Sequence, residues 1–262
     1  MHWRCPHCFG ALHPTNIGLS CPSGHTFDRA REGYVNLMPS GRLKSRVAGD
    51  SDEMIRARRS FFDAGHYLPI ARAVADAVGE VDVVVDAGCG EGFYLAHLRA
   101  RSRYGVDISK PAIKLAARRY PDVDFAVGTS FHIPLDDASV DAVVSVFAPR
   151  PFEEFARVLR PGGFAVVASP GPDHLRGLTD LIYATPEPHE QRPHTDEATV
   201  NVRYDLQLRQ PDITHLVQMT PYWWKATADQ QSAIRVHPEL TVTVDVVVSV
   251  HRNLDAMIGA EL

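Results

Sequence analysis

DVVVDAGCGEGFY, residues 82–94, decides the fold. Its apolar run, within VDVVVDAG (81–88), is continuous rather than alternating, the mark of a strand buried on both faces. The run ends in Gly88, Gly90 and Gly92, spaced G-x-G-x-G, and a helical pattern follows at once. Glycines there let the backbone turn tightly and approach a ligand with no Cβ in the way. Glu91 lies in the same loop, where its backbone could meet that ligand. Asp107 ends the next predicted strand, 21 residues after Asp86. A carboxylate at that place can accept both hydroxyl protons of a ribose. Asp86, Gly88, Gly90, Glu91, Gly92 and Asp107 are therefore the candidate nucleoside-cofactor residues.

Working outward, the pattern keeps alternating. Strands are predicted at 81–88, 103–107, 124–128, 140–147, 164–169, 202–208 and 241–251. Helices are predicted at 93–100, after Ser109 and Pro111, at 151–159 and near 173–183, with RPGG (160–163) as a turn. Upstream, Asp50 with Glu53 reads as a capping-box variant opening a helix that Gly65 closes, and a shorter helix runs from Pro69 to Val78. Residues 185–197 form a polar Pro/His-rich loop. Strand–helix alternation of this kind gives a doubly wound, mostly parallel sheet.

The spacing G-x-G-x-G differs from the dinucleotide pattern G-x-G-x-x-G. It resembles the first motif of class I S-adenosylmethionine-dependent methyltransferases. VDIS (106–109) resembles their second motif, and LRPGG (159–163) the turn before their fifth strand. That resemblance implies an α/β, Rossmann-like sheet of seven strands, with 241–251 in the antiparallel slot. The cofactor it implies is S-adenosylmethionine.

The front of the chain is of another kind. In MHWRCPHCFGALHPTNIGLSCPSGHTF, Cys5, Cys8, Cys21 and His25 are spaced C-x2-C-x12-C-x3-H. Two such knuckles can place three thiolates and one imidazole around a tetrahedral zinc ion. All four positions are then filled by protein, so the zinc is structural rather than catalytic. A segment this poor in large apolar residues needs such a staple. His7 lies between two ligands but points away, and Cys89 is a neighbour of the cofactor loop. The expected division is a zinc module at 1–35, a basic connector with helices at 36–80 and a methyltransferase domain at 81–262.

The bulk numbers narrow the function classes. The chain has 262 residues, 45% hydrophobic, with a net charge of −5. No apolar run approaches a membrane span, and the start has no signal-peptide pattern. Four cysteines without a secretory signal point to a reducing, cytoplasmic setting. Residues 1–60 nevertheless carry 9 Lys/Arg against 5 Asp/Glu, a balance of 9 − 5 = +4. The front of the molecule could thus face phosphates while the back stays acidic.

The sequence resembles the bacterial 23S rRNA (guanine-N1-)-methyltransferases of the RlmA group, some of which confer macrolide resistance. The resemblance covers nearly the whole chain. It is carried by the zinc pattern, HTFDRAREGYVNLMP (25–39), GDSDEMIRARRSFFDAGHY (49–67), DAGCGEGFY (86–94), GVDISKPAIK (105–114), FAPR (147–150), SPGPDHL (169–175) and MTPYWWKA (219–226). It is weakest over 185–200 and at the C-terminus. The resemblance implies methylation of guanine N1 in a hairpin of 23S rRNA, and homodimers whose zinc modules flank an RNA cleft. It also implies cofactor contacts at Tyr67, Gly90, Glu91 and His174. Competing readings are a small-molecule methyltransferase on the same scaffold and a non-catalytic RNA-binding protein.

N1 of neutral guanine carries a proton and is a poor nucleophile, so the site must help remove it. A guanine in a hairpin must also leave its stack and be held. Phe147, just past the fourth strand, is placed to stack on it, with Trp223 and Trp224 as second candidates. Arg42, Lys44, Arg46, Arg58 and Arg59 are the expected phosphate contacts. Asp52, Glu53 and His66 are considered as general base, and none is assigned. If the zinc module is a separate RNA grip, chelation should cost RNA affinity and spare cofactor affinity.

Overall fold

The computed structural model describes residues 3–38, 51–183, 198–252 and 254. β1 (His13–Pro14), β2 (Gly18–Ser20) and β3 (Thr26–Asp28) form a small antiparallel sheet around the Cys/His knuckles. β4 (Val35–Asn36) leaves that module. Next come helices α1 (Asp52–Asp63) and α2 (Leu68–Val78). The alternating part follows: β5 (Glu80–Ala87), α3 (Phe93–Ala96), β6 (Arg99–Asp107), α4 (Lys110–Arg119), β7 (Asp124–Val127), β8 (Val140–Val146), α5 (Phe152–Val158) and β9 (Leu159–Pro170). The chain then runs through α6 (Leu178–Ile182), β10 (Ala198–Arg209), α7 (Asp212–Gln218), α8 (Pro221–Lys225), α9 (Ala228–Val236) and β11 (Glu239–His251).

The main sheet has the order β10-β11-β9-β8-β5-β6-β7-β4. β11 runs antiparallel to both neighbours and the other pairs are parallel. This is the class I methyltransferase arrangement, with eight strands instead of seven. The extra strand is β4, whose Val35 and Asn36 pair with Ala126 and Val127 at the edge. The expected boundary between residues 35 and 36 thus falls inside a strand of the sheet.

Most predicted elements are present, and the departures have local causes. Ser51, not Asp50, caps α1: its hydroxyl accepts the Met54 N–H at 3.2 Å. Asp50 itself lies outside the described residues. Gly65 takes φ +81° just past the helix end, as expected. The helix predicted over 93–100 stops at Ala96, because β6 starts early and pairs Arg99 with Glu80 at the foot of β5. The RPGG turn is a bulge within β9: Leu159 pairs with Val140, and the next partners are Phe164 and Ala142. Of the helix expected near 173–183, only Leu178–Ile182 is helical. The Pro/His-rich loop at 185–197 lies outside the described residues.

Side chains alternate along β5 and divide the core into two layers. Val84 faces a layer built with α1, α2, α4 and α7, while Val83 and Val85 face the other. On that second face the link from β7 to β8 holds no helix. The zinc module fills the gap: Trp3, Leu12 and Leu19 are buried with Tyr104, Val106, Ile133 and Leu135. Trp3 meets Tyr104 edge-on at 5.1 Å.

Candidate active site and zinc centre

The glycine loop leaves the carboxyl end of β5, beside the ends of β6 and β8. Gly88 has φ +92°, and a Cβ on it would lie 2.5 Å from that of Ala148. Gly90 and Gly92 also have positive φ, +53° and +77°. No side chain replaces these glycines without strain or collision. Asp107 braces the loop: its Oδ2 accepts the Gly90 N–H at 2.8 Å and its Oδ1 the Ser109 N–H at 2.7 Å. Each carboxylate oxygen has a second lone pair, so ribose hydroxyls remain compatible with this bracing.

Beneath the loop lies buried polarity that the protein itself does not satisfy. Both oxygens of Asp86, Oε1 of Glu91 and the hydroxyl of Tyr94 have no hydrogen-bond partner among the described residues. Burial, and then the charge of Asp107, push the Asp86 carboxyl up to about 8. Burial likewise pushes Tyr94 well up. Buried polar atoms without partners are rare and call for an explanation, of which a bound ligand is one. A cation with its own N–H donors fits Asp86. The fit agrees with the ammonium end of a methionine-derived cofactor. Glu91 is half engaged: its Oε2 takes Arg59 Nε at 2.8 Å, tying the loop to α1.

Aromatic rings gather beside the loop. Phe147 has φ +52° and stacks on His174 at 5.4 Å, with 24° between the planes. Tyr67, buried at the start of α2, stands 6.3 Å from both rings. Phe147 is 41% exposed, so one edge of this cluster is open to a second molecule.

The second site assembles at the front of the chain. The ligand atoms of Cys5, Cys8, Cys21 and His25 all lie within 4.8 Å of one another. Cys8 Sγ is 3.4 Å from Cys21 Sγ, and His25 Nδ1 is 3.3 Å from Cys21 Sγ and 3.6 Å from Cys5 Sγ. Tetrahedral zinc with ordinary bond lengths separates its ligands by roughly 3.5–3.8 Å, so the set fits the ion. The Ser23 hydroxyl, and then the Gly10 N–H, pull the Cys8 thiol down to about 6. His7 is exposed beside Phe27 and stands outside the cluster.

Comparison with known proteins gives both halves a family. Residues 3–46 match the zinc-ribbon family described as RlmA, N-terminal, and residues 85–167 match a methyltransferase domain family. The 23S rRNA (guanine(748)-N(1))-methyltransferase of Streptomyces fradiae is 35% identical, covering 87% of each chain. A Micromonospora griseorubida protein, provisionally named for guanine-N1 methylation of 23S rRNA, is 39% identical over 85% of this chain and 87% of its own. A Bacillus subtilis protein named in the same way is 31% identical over 93% of this chain and 94% of its own. The chain belongs to the 23S rRNA (guanine-N1-)-methyltransferase family.

Within that family frame, the structure sorts the residues expected from sequence. Asp86, Gly88, Gly90, Glu91, Gly92 and Asp107 gather at one loop, with Tyr67, Phe147 and His174 beside them. Trp223 does not join them: it is 3% exposed, in the core beneath Arg235, whose guanidinium sits 4.8 Å from the ring. That burial removes it as a stacking surface, whereas Trp224 is half exposed. Arg59 pairs with Glu91, and Arg58 lies beside the glycine loop. Arg42, Lys44 and Arg46 lie outside the described residues. His66 Nε2 is 2.8 Å from Asp212, and Glu53 accepts from Gln218 at 2.8 Å; both hold α1 and its neighbourhood to α7. Sequence reasoning missed Tyr94, and it missed exposed Ile108 and Phe131, which follow the ends of β6 and β7. Strand-end position was the available signal for that pair. No helix among the described residues is long and apolar enough to cross a membrane.

Proposed function

We propose that this chain transfers a methyl group from S-adenosylmethionine to N1 of a guanine in a hairpin of 23S rRNA. The observation that carries the reading is the buried, unpartnered polarity under the glycine loop, beside an aromatic pair that opens outward. The sequence likeness over both the zinc ribbon and the methyltransferase domain supplies the substrate class.

The bound cofactor supplies an electrophilic methyl group on a positively charged sulfur. Asp86 would take the ammonium of its amino-acid end, and Asp107 the ribose hydroxyls. Tyr67, Gly90, Glu91 and His174 are the further contacts. Phe147 would stack on the guanine once it leaves the hairpin, which holds N1 in line with the methyl. Guanine N1 must pass its proton to water as it accepts the methyl group, and the chain's part is to hold the base and favour that loss. Arg42, Lys44 and Arg46 supply phosphate contacts in this reading.

The finer parts of the reading are a homodimer with zinc modules flanking an RNA cleft, work in the cytoplasm, and a role in macrolide resistance. Light scattering with and without RNA checks the first, and drug sensitivity of a host with and without the gene checks the last. The reaction itself is tested with labelled cofactor and 23S rRNA from a strain lacking this methylation, mapped by primer extension. A stop at one guanine of a hairpin is the expected result. Cofactor binding with no label on any rRNA would move the substrate to a small molecule. Strong RNA binding without cofactor binding would leave a non-catalytic binding protein.

A further inference from the structure

His174 sits at the edge of the pocket, but what holds it is not in its own loop. Asp245 on β11 grips residues 171–174 at three points. Its carbonyl accepts the Gly171 N–H at 2.7 Å, and its Oδ2 accepts the Asp173 N–H at 3.1 Å. Its own N–H donates to His174 Nδ1 at 3.3 Å. Arg203, opposite Asp245 on β10, ties the grip from outside: Nη1 lies 3.2 Å from Asp245 Oδ2, and Nη2 donates to Asp173 Oδ2 at 2.8 Å. Gly171 is tailored to this contact, since a Cβ there would come within 2.5 Å of the Asp245 carboxylate. Asp245 and His174 are themselves 5% and 7% exposed.

A ring nitrogen that accepts from a backbone N–H bears no proton of its own. The neutral ring therefore carries its proton on Nε2, the edge away from Asp245. We propose that Asp245 is a positioning residue: it fixes the 171–174 loop so that His174, stacked on Phe147, presents an Nε2–H donor to the site. Such a donor takes an oxygen acceptor, either the cofactor's carboxylate or the guanine O6, where negative charge gathers as N1 loses its proton. It also withdraws His174 from the role of general base. The inference rests on the methyl-transfer reading of this pocket.

The test uses the zinc-loaded, full-length protein. Long-range proton–nitrogen spectra, with His174→Gln for assignment, report the tautomer. Calorimetry reports S-adenosylhomocysteine affinity, and turnover on the rRNA hairpin reports kcat and KM. The wild type should show Nε2–H. Asp245→Ala should weaken product binding or kcat by about tenfold and blur the tautomer, because small displacements of a positioned group cost that much. Asp245→Asn, which keeps an acceptor for Asp173, should largely restore both. Gly171→Ala pushes on the carboxylate from the other side and should copy Asp245→Ala, with no added loss in the double variant. A loss in affinity places the acceptor oxygen on the cofactor, and a loss in kcat at unchanged affinity places it on the guanine. An Nδ1–H tautomer in the wild type overturns the proposal, with no variant needed. So do Asp245→Ala and Gly171→Ala proteins that keep tautomer, affinity and kcat. Failure of the wild type to bind S-adenosylhomocysteine at all would instead overturn the methyl-transfer reading.

Discussion

Asp86 shows how one residue links the pocket to pH. Its carboxyl is raised to about 8, first by burial and then by Asp107. In the unfolded chain the same group titrates near ~4. The folded state therefore holds an extra proton between those values. That contribution to stability is fully present below about 4 and is lost as pH rises through about 8. Asp86→Asn has no proton to lose, so it should gain on the wild type between pH 6 and 9 in urea unfolding of the ligand-free protein. A constant difference across that range would count against the assignment. Ligand binding supplies the second readout. An ammonium placed beside Asp86 favours the ionised form, so S-adenosylhomocysteine should expel protons from the wild type near pH 7. Calorimetry in two buffers of different ionisation heat should give different enthalpies for the wild type and equal ones for Asp86→Asn. Much of this residue scale was legible in the sequence, because glycine spacing and an acid at a strand end are local marks. The grip of Asp245 on His174 spans 71 residues, and Arg59 reaches Glu91 across 32. No periodicity in a single chain announces such pairs.

Among the elements, α1 matters most to the glycine loop. Arg59 projects from it onto Glu91, whose side chain is 3% exposed. Removing one partner of a buried pair leaves the other charge desolvated and costs more than the pair ever contributed. Arg59→Ala should thus lose about 3 kcal/mol in urea unfolding, and adding Glu91→Gln should recover part of it. An Arg59→Ala protein as stable as the wild type would mean that solvent reaches Glu91. Elements were predicted best where their cause is local. Apolar runs gave the seven long strands, and Ser109 and Gly65 act where expected. They were missed where the cause is pairing. β4 exists only because β7 offers an edge, and α3 is cut short because β6 must start level with β5. The RPGG bulge likewise depends on the register with β8.

At the scale of the whole molecule, the zinc module is a cover for the sheet. The link between β7 and β8 carries no helix, and Trp3, Leu12 and Leu19 seal that face instead. Two further ties join the module to the same link. The Arg4 N–H donates to Pro134 O at 2.8 Å, and Arg4 Nη1 pairs with Asp137, which Arg157 also holds. That link begins beside exposed Phe131, at the cofactor end of the sheet. A module whose apolar residues belong to the domain's core cannot come apart from it at no cost, since a small metal-stapled unit is ordinarily folded by its ion. The expectation that chelation spares the cofactor site is revised accordingly. Zinc removal should lower the melting temperature of the whole protein in a single transition, and weaken S-adenosylhomocysteine binding along with RNA binding. By linkage, S-adenosylhomocysteine should also raise the affinity for zinc in competition with a chelator. Calorimetry on zinc-loaded and zinc-free protein, with chelator competition on the loaded form, measures both directions. Two separate transitions, with product affinity intact after chelation, would restore the picture of a detachable RNA grip. Joint loss would mean that the ion at the front of the chain holds up the sheet on which the cofactor sits.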